Sequence, residues 1–185
     1  MPVDAGRVIE VGEGHQIHLG KRILHCLDTP GHAKHHIAIW DPISRGVFTG
    51  DTFGLSYREF DTEEGAFIMP TTTPIQFDPE ALRDSVSRIA ALKPDCLFPT
   101  HFSRINGVER LKGLFLEQLD EIVVLAKQLK TDPNRHTLLK DGMAKIHINH
   151  LKTMNCKLSA AEITNFLQID LELNALGICH WLDKA

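Results

Sequence analysis

Three side chains that can ligate a metal ion follow three short apolar segments of the chain. His32 comes after RILHCLDTPG, Asp51 after GVFTG, and His101 after DCLFPT. Each segment has the length and composition of a β-strand, so each polar side chain stands at the C-terminal end of a predicted strand. Imidazole and carboxylate groups suit zinc, iron or manganese. We therefore predict that His32, Asp51 and His101 lie at one rim of a sheet and hold a metal ion.

We interpret four other histidines of the chain in two ways. His35 and His36 lie close to His32 in the sequence, and we interpret them as structural residues whose ring nitrogens bond to loop carbonyls. His147 and His150 stand three positions apart on a predicted helix, where they can ligate a metal or simply form a solvated helix face. The predicted metal site therefore does not include these four residues.

Short segments of strand length fill the first part of the chain, and Gly, Pro or Asp bounds them. These segments are residues 7–11, 15–19, 22–28, 35–41, 46–51 and 95–101. One helix interrupts them. Asp78 is placed to cap its N-terminus, and Pro79 suits the first helical position.

Beyond residue 104 the apolar residues recur with a helical period. One continuous stripe from Val108 to Leu129 predicts a long helix whose apolar face is buried in the core or against a subunit. Asp132-Pro133 predicts the end of that helix and the start of another. Ser159 to Glu162 has the pattern of a capping box, and Gly177 is a natural C-cap for the helix that follows. The chain is therefore predicted to have a strand-rich part followed by helices.

The composition predicts a globular cytoplasmic protein with no nucleic-acid or membrane partner. The chain is 43% hydrophobic and 24% charged, and its net charge of −4 gives no electrostatic footprint for nucleic acid or an anionic membrane. No apolar run approaches the roughly 18 to 20 residues of a membrane span. The N-terminal residues lack the pattern of a signal peptide, and the 4 widely spaced cysteines favour reduced thiols.

The segments TPGHAKHHIAIW, VFTGDTFG and LFPTHF, in this order and spacing, resemble the second half of the metallo-β-lactamase-fold hydrolases. The stretch SYREFDTEEGAFIMPTTTPIQFDPEAL is similar to one bacterial subfamily of uncharacterised hydrolases within that group. The resemblance implies an α/β fold, the C-terminal half of an αββα sandwich over residues 1–104, followed by a helical region over residues 105–185.

The same resemblance implies roles for individual residues. His32 corresponds to a ligand of one metal, Asp51 to a catalytic carboxylate that bridges two metals, and His101 to a ligand of the second. His36 matches a supporting residue of the same turn. The first-half motif His-x-His-x-Asp-His, which supplies the other ligands in the family, does not occur, and His15-Gln-Ile-His18 has a different spacing. The site is therefore expected to be incomplete and the chain truncated.

Two functions of different classes follow from these observations. The first is a metal-dependent hydrolase of an ester, thioester or related small-molecule substrate, with zinc, iron or manganese as cofactor and two ions in the intact family site. Tyr57, Arg58 and Thr71–Thr73 then either border the substrate pocket or belong to an ordinary loop.

The second function is that of a non-catalytic truncated or degenerate copy. Loss of half a sandwich exposes the apolar faces of HHIAIW and GVFTG, and such faces are usually covered by a partner. We therefore expect a homo-oligomer, and we expect the chain on its own to be a weak or inactive hydrolase.

Overall fold

The computed structural model describes residues 3–72, 76–101 and 104–184. Its strands form one sheet, in which spatial order equals chain order. All neighbouring strands are antiparallel except β4 and β5, which are parallel. The strands are β1 (Gln16–Leu19), β2 (Arg22–Asp28), β3 (Ile37–Asp41), β4 (Gly46–Gly50), β5 (Cys96–Pro99) and β6 (Ile105–Asn106).

The parallel pair β4 and β5 is joined by a crossover that contains the first helix, and the other helices follow the sheet. They are α1 (Pro79–Ala91), α2 (Val108–Gln128), α3 (Arg135–Thr153), α4 (Ala160–Phe166) and α5 (Gln168–Lys184). The side chain of Asp78 accepts from the backbone N–H groups at the start of α1, and Ser159 and Glu162 form the predicted capping box of α4. No helix in the described ranges is long and apolar enough to cross a membrane.

The order of a strand-rich part followed by helices is confirmed, but two local predictions are wrong. The sequence predicts a strand over residues 7–11, yet no strand within the described ranges pairs with them, and Ile9 is 76% exposed. A β-forming sequence without a partner strand stays irregular. Gly177 was predicted to end a helix, but it is buried inside α5, where helix packing outweighs the low helix propensity of glycine.

The two faces of the sheet have different environments. Ala38 and Val47 point to the same face, and both are fully buried against the helices. The opposite face carries Phe48, which is 46% exposed and stacks on Phe98 with ring centroids 4.7 Å apart. The buried side chains of the inner face and those of α1 to α5 belong to one hydrophobic cluster. The boundary at residue 104 remains a prediction.

Helix α1 holds the turn between β2 and β3 in place. The hydroxyl of Ser85 donates to the carbonyl of Pro30 at 2.7 Å, and the N–H of Asp78 donates to the carbonyl of Gly31 at 2.8 Å. Gly31 has a φ of 131°, and a Cβ at this position would lie 2.3 Å from the backbone of Leu82. Only glycine combines this conformation with so close an approach to the helix. The next residue, His32, is thereby fixed at the end of the sheet.

Candidate functional site

The strand ends bring the predicted ligands to one rim of the sheet. His32 lies in the turn after β2, Asp51 directly follows β4, and His101 lies two residues beyond the end of β5. Because β4 and β5 are parallel neighbours, their C-terminal ends meet at the same edge. The N–H of Thr100 donates to the carbonyl of Gly50 at 3.3 Å, which continues the pairing up to the site.

One ring nitrogen of His32 is fixed by the backbone. Nδ1 lies 3.2 Å from the carbonyl oxygen of Thr71 and 3.2 Å from its hydroxyl. When Nδ1 carries the proton, it donates to that carbonyl, and Nε2 keeps a lone pair that can bind a metal ion. Nε2 lies 3.8 Å from Oδ2 of Asp51. Burial of the ring lowers the pKa of His32, and the Thr71 carbonyl and the Asp51 carboxylate oppose that effect. The neutral imidazole that can ligate a metal is therefore favoured.

The carboxylate of Asp51 lies between two imidazoles. Oδ2 faces His32, and Oδ1 lies 3.7 Å from Nε2 of His101. Both distances exceed the usual hydrogen-bond length of about 2.7–3.2 Å. They are close to the roughly 3.4 Å that separates two ligand atoms at zinc bond lengths and a tetrahedral angle. Oδ1 of Asp51 is buried, and it has no hydrogen-bond partner among the residues that the structure describes. A buried carboxylate oxygen of this kind fits a cation as its partner.

The tightest group of possible ligand atoms differs in one member from the predicted one. The ligand atoms of His32, His36 and Asp51 all lie within 4.8 Å of one another, whereas His101 is outside that group. His101 is the most exposed of the predicted ligands, at 49% of its side chain, and it contacts the site through Asp51. The structure therefore brings all three predicted residues to one rim, with His36 among them.

His36 supports the Asp51 backbone. Its Nε2 accepts a hydrogen bond from the N–H of Asp51 at 3.1 Å, so the partner is an amide and not the loop carbonyl that the sequence suggested. The other ring nitrogen, Nδ1, is buried, and none of the described residues gives it a hydrogen-bond partner. In this orientation the lone pair of Nε2 is already engaged, which agrees with a supporting role.

A cavity of about 300 Å³ opens on these residues, and its far wall comes from α5. It is lined by His32, Asp51, Leu55, Tyr57, Thr71, Thr72, His101, Asp170, Leu173 and Asn174. The sequence analysis did not identify the three residues of α5, Asp170, Leu173 and Asn174. The local pattern of a helix does not indicate that it packs against a loop more than 100 positions earlier in the chain. A larger cavity of about 560 Å³ lies elsewhere, beside Asp61 and Lys157, and contains no predicted ligand.

Asn174 attaches α5 to the loop that holds His32. Its side-chain oxygen accepts from the N–H of Thr72 at 2.9 Å, and its carbonyl accepts from the hydroxyl of Thr72 at 3.1 Å. Both residues are buried, Asn174 at 3% and Thr72 at 7% exposure. Since Thr71 contacts His32, this buried pair couples the position of the helix to the predicted ligand.

Tyr57 and Asp170 form a hydrogen-bonded pair in the wall of the cavity. The hydroxyl of Tyr57 donates to Oδ2 of Asp170 at 2.9 Å. Burial raises the pKa of Tyr57, and so does the Asp170 carboxylate; the phenol therefore stays protonated. Burial also raises the pKa of Asp170, against the effect of the Tyr57 hydrogen bond and the nearby His101.

Other candidate residues have different surroundings. Arg58 bonds to Asp61 and to a backbone carbonyl and does not line the cavity, and Thr73 lies outside the described residues. His147 is fully buried, so the interpretation as a solvated face is wrong for it. His150 bonds to Glu121 at 2.8 Å.

The sequence matches the family model of the metallo-beta-lactamase superfamily over residues 2–101. It is also similar to a metallo-beta-lactamase fold-containing protein of Sulfurisphaera tokodaii, with 32% identity over 92 residues. That alignment covers 50% of this chain and 31% of the relative.

Solved structures share the fold. A metallo-beta-lactamase superfamily protein from Sulfolobus tokodaii superposes with a TM-score of 0.54 and 23% identity, over 96% of this chain and 54% of its own. A metallo-beta-lactamase family protein from Thermus thermophilus superposes with a TM-score of 0.56 and 18% identity, over 93% of this chain and 48% of its own. A beta-lactamase domain protein from Burkholderia ambifaria superposes with a TM-score of 0.56 and 18% identity, over 98% of this chain and 48% of its own. The chain thus spans about half the length of these structures, and the likeness confirms the predicted fold.

Proposed function

The chain belongs to the metallo-β-lactamase superfamily, and on that premise we propose that it serves as a metal-dependent hydrolase of an ester, thioester or related small molecule. One observation carries the proposal. The two carboxylate oxygens of Asp51 face two different imidazoles at 3.7 and 3.8 Å, and one of those oxygens is buried with no hydrogen-bond partner in the described part of the chain.

The residues present fit a borderline divalent ion. Two imidazole nitrogens and a carboxylate form a donor set typical of zinc, iron and manganese sites. In this proposal, His32, Asp51 and His101 are the residues that would hold the metal. A bound ion supplies Lewis acidity and lowers the pKa of a coordinated water to about 7.

The chain's own residues keep these donors in position. Thr71 accepts from Nδ1 of His32, which directs Nε2 of that ring toward Asp51. His36 accepts from the N–H of Asp51, so the start of the loop after β4 is fixed beside the carboxylate. Outer hydrogen bonds of this kind typically change metal affinity by roughly 10- to 100-fold when removed. Leu55 and Leu173 add apolar walls that suit the non-reacting part of a substrate.

The test is metal content followed by hydrolysis. The purified 185-residue chain is incubated with zinc, iron(II) or manganese, freed of excess ion, and analysed for metal per chain. We expect bound metal in the wild type, and at least tenfold weaker binding in Asp51→Asn and in His32→Ala, which lose a donor. His35→Ala, an exposed histidine of the same turn, is the control and keeps the metal.

Hydrolysis is then measured with p-nitrophenyl acetate and S-phenyl thioacetate. We expect slow turnover above a metal-only blank, reduced in Asp51→Asn and retained in His35→Ala. A chain that binds no ion even in excess metal, or turnover that Asp51→Asn leaves intact, would refute the proposal.

A second candidate is a non-catalytic protein that persists by self-association. The observation that favours it is the outer face of the sheet, where Phe48 is 46% exposed beside Phe98. An apolar face of this kind is usually covered by another chain or another part of the same protein. A stable oligomer without bound metal would favour this candidate over the hydrolase.

A further inference from the structure

The wall that α5 contributes to the cavity carries the carboxylate of Asp170. Asp170 lies in the first turn of α5, and its Oδ2 accepts from the Tyr57 hydroxyl at 2.9 Å. Of the residues that line the cavity in the described parts of the chain, none is Lys or Arg. We infer that Asp170 selects substrates with an ammonium group beside the bond to be cleaved, an inference that rests on the proposed hydrolase.

Tyr57 orients the Asp170 carboxylate without neutralising it. The phenol is a neutral donor that satisfies one oxygen, and its ring lies edge-on to Phe166 with centroids 4.9 Å apart. The aromatic contact fixes the direction of the hydroxyl. Asp170 therefore presents a carboxylate of defined position, as recognition of an ammonium group requires.

His101 also acts electrostatically on Asp170. The second carboxylate of the cavity, Asp51, faces His32 and His101. The described lining of the cavity thus contains two carboxylates and no Lys or Arg, so its charge favours a cationic ligand. A half-buried carboxylate without a cation is costly, and an ammonium group relieves that cost.

The apolar residues of the cavity lining define the rest of the ligand. Leu55 and Leu173 line it together with the methyl-bearing side chains of Thr71 and Thr72. A short alkyl chain fills such a surface. The substrate class is therefore an ester or thioester that carries an aminoalkyl group, and substrates with a carboxylate in that place are rejected by repulsion.

The experiment measures binding on the full chain in EDTA, so that it does not depend on hydrolysis. Three probes of similar size are titrated and followed by ligand-observed NMR: n-butylammonium, 1-butanol and butanoate. We expect n-butylammonium to bind about tenfold more tightly than 1-butanol, and butanoate to bind least. Equal binding of the three probes to the wild type would overturn the inference, with no variant needed.

Two variants test whether Asp170 is the residue responsible for the preference for n-butylammonium. Asp170→Asn keeps the shape and the Tyr57 hydrogen bond but removes the charge, and we expect it to lose the tenfold preference for n-butylammonium while 1-butanol binding is unchanged. Asp84→Asn, an exposed carboxylate on α1 outside the cavity, makes the same change of net charge and keeps the preference. A preference that survives in Asp170→Asn would place the cation at Asp51 and overturn the inference.

The two proposals fail separately. Absence of bound metal and of hydrolysis contradicts the hydrolase, while the EDTA titration still reads the ammonium preference. Bound metal and turnover with equal kcat/KM for an aminoalkyl ester and its uncharged analogue contradict the role of Asp170 alone.

Discussion

The backbone N–H of Asp51 donates to Nε2 of His36 at 3.1 Å, and Gly50, the last residue of β4, directly precedes Asp51. The imidazole of His36 lies directly against that glycine, whose φ is 53°. A Cβ at position 50 would lie 2.0 Å from Cε1 of His36. The placement of the Asp51 carboxylate therefore depends on a glycine and an imidazole that pack on each other.

Comparing Gly50→Ala with Gly20→Ala separates the cost of backbone strain from the cost of disturbing the contact between Gly50 and His36. Both glycines have positive φ, 53° and 61°, so alanine at either position costs about 1–2 kcal/mol of backbone strain. A Cβ at Gly20 meets nothing within 4 Å, whereas at Gly50 it displaces His36. We expect Gly50→Ala to lower the free energy of unfolding by a further 1–3 kcal/mol, roughly the cost of overpacking.

Urea denaturation measures both variants, and metal per chain provides a second readout. Only Gly50→Ala is expected to lose bound metal, because only this variant moves His36 and with it the Asp51 backbone. Equal losses of stability in the two variants would show that His36 does not constrain the loop.

The buried His147 makes stability depend on pH. Its Nδ1 donates to Oε1 of Gln118 at 2.8 Å, and burial lowers its pKa to about 3. The unfolded chain has the ordinary histidine pKa of about 6.5, so between these values it binds more protons than the folded chain. The contribution of the neutral ring is therefore complete above pH 6.5. It is lost as the pH falls toward 3, by up to about 1.4 kcal/mol per pH unit.

His147→Gln removes this titration and retains an amide that can bond Gln118. We expect the plot of unfolding free energy against pH to be shallower between pH 4 and 6 by up to about 1.4 kcal/mol per unit. His18→Gln, at an exposed position of β1, is the matched control and keeps the wild-type slope. If all three proteins share one slope, His147 is not the group responsible.

Local patterns in the sequence predict only part of the candidate site. Strand-length apolar runs ending in His32, Asp51 and His101 predict three side chains at one rim, because each run and its polar end are adjacent in the chain. The sequence does not predict the burial of His147, because that burial depends on Gln118, which is 29 positions away on another helix. Periodicity identifies a helix face but not the polar partner that makes a buried imidazole acceptable.

Removing the side-chain amide of Asn174 is expected to lower the stability of the fold, because Asn174 and Thr72 form a buried hydrogen-bonded pair. Asn174→Ala leaves the buried N–H of Thr72 without its acceptor, and we expect a loss of about 1–3 kcal/mol in the free energy of unfolding. Asn165→Ala, at an exposed position of α4, is the control and changes stability by less than about 0.5 kcal/mol. Urea denaturation decides between these values, and equal effects would mean that the pair does not hold α5.

The outer face of the sheet predicts self-association. We expect sedimentation velocity to show a dimer or larger species for the wild type, because Phe48 and Phe98 offer an exposed apolar surface. Phe48→Lys places a charge there and shifts the chain toward monomer. Ile43→Lys, in the exposed turn between β3 and β4 (64% exposed), is the control. A wild type that sediments as a monomer at all concentrations would contradict this prediction.

The attachment of α5 to the cavity has a consequence for the order of folding. The bond between Tyr57 and Asp170 joins residues 113 positions apart, and that between Thr72 and Asn174 joins residues 102 apart. Loop closure over such separations is costly in entropy, whereas the hairpins from β1 to β4 close over a few residues. Pulsed hydrogen exchange is therefore expected to protect β2 to β4 before Thr72. During synthesis the rim with His32 and Asp51 can form first, and the cavity gains its second wall only when α5 has left the ribosome.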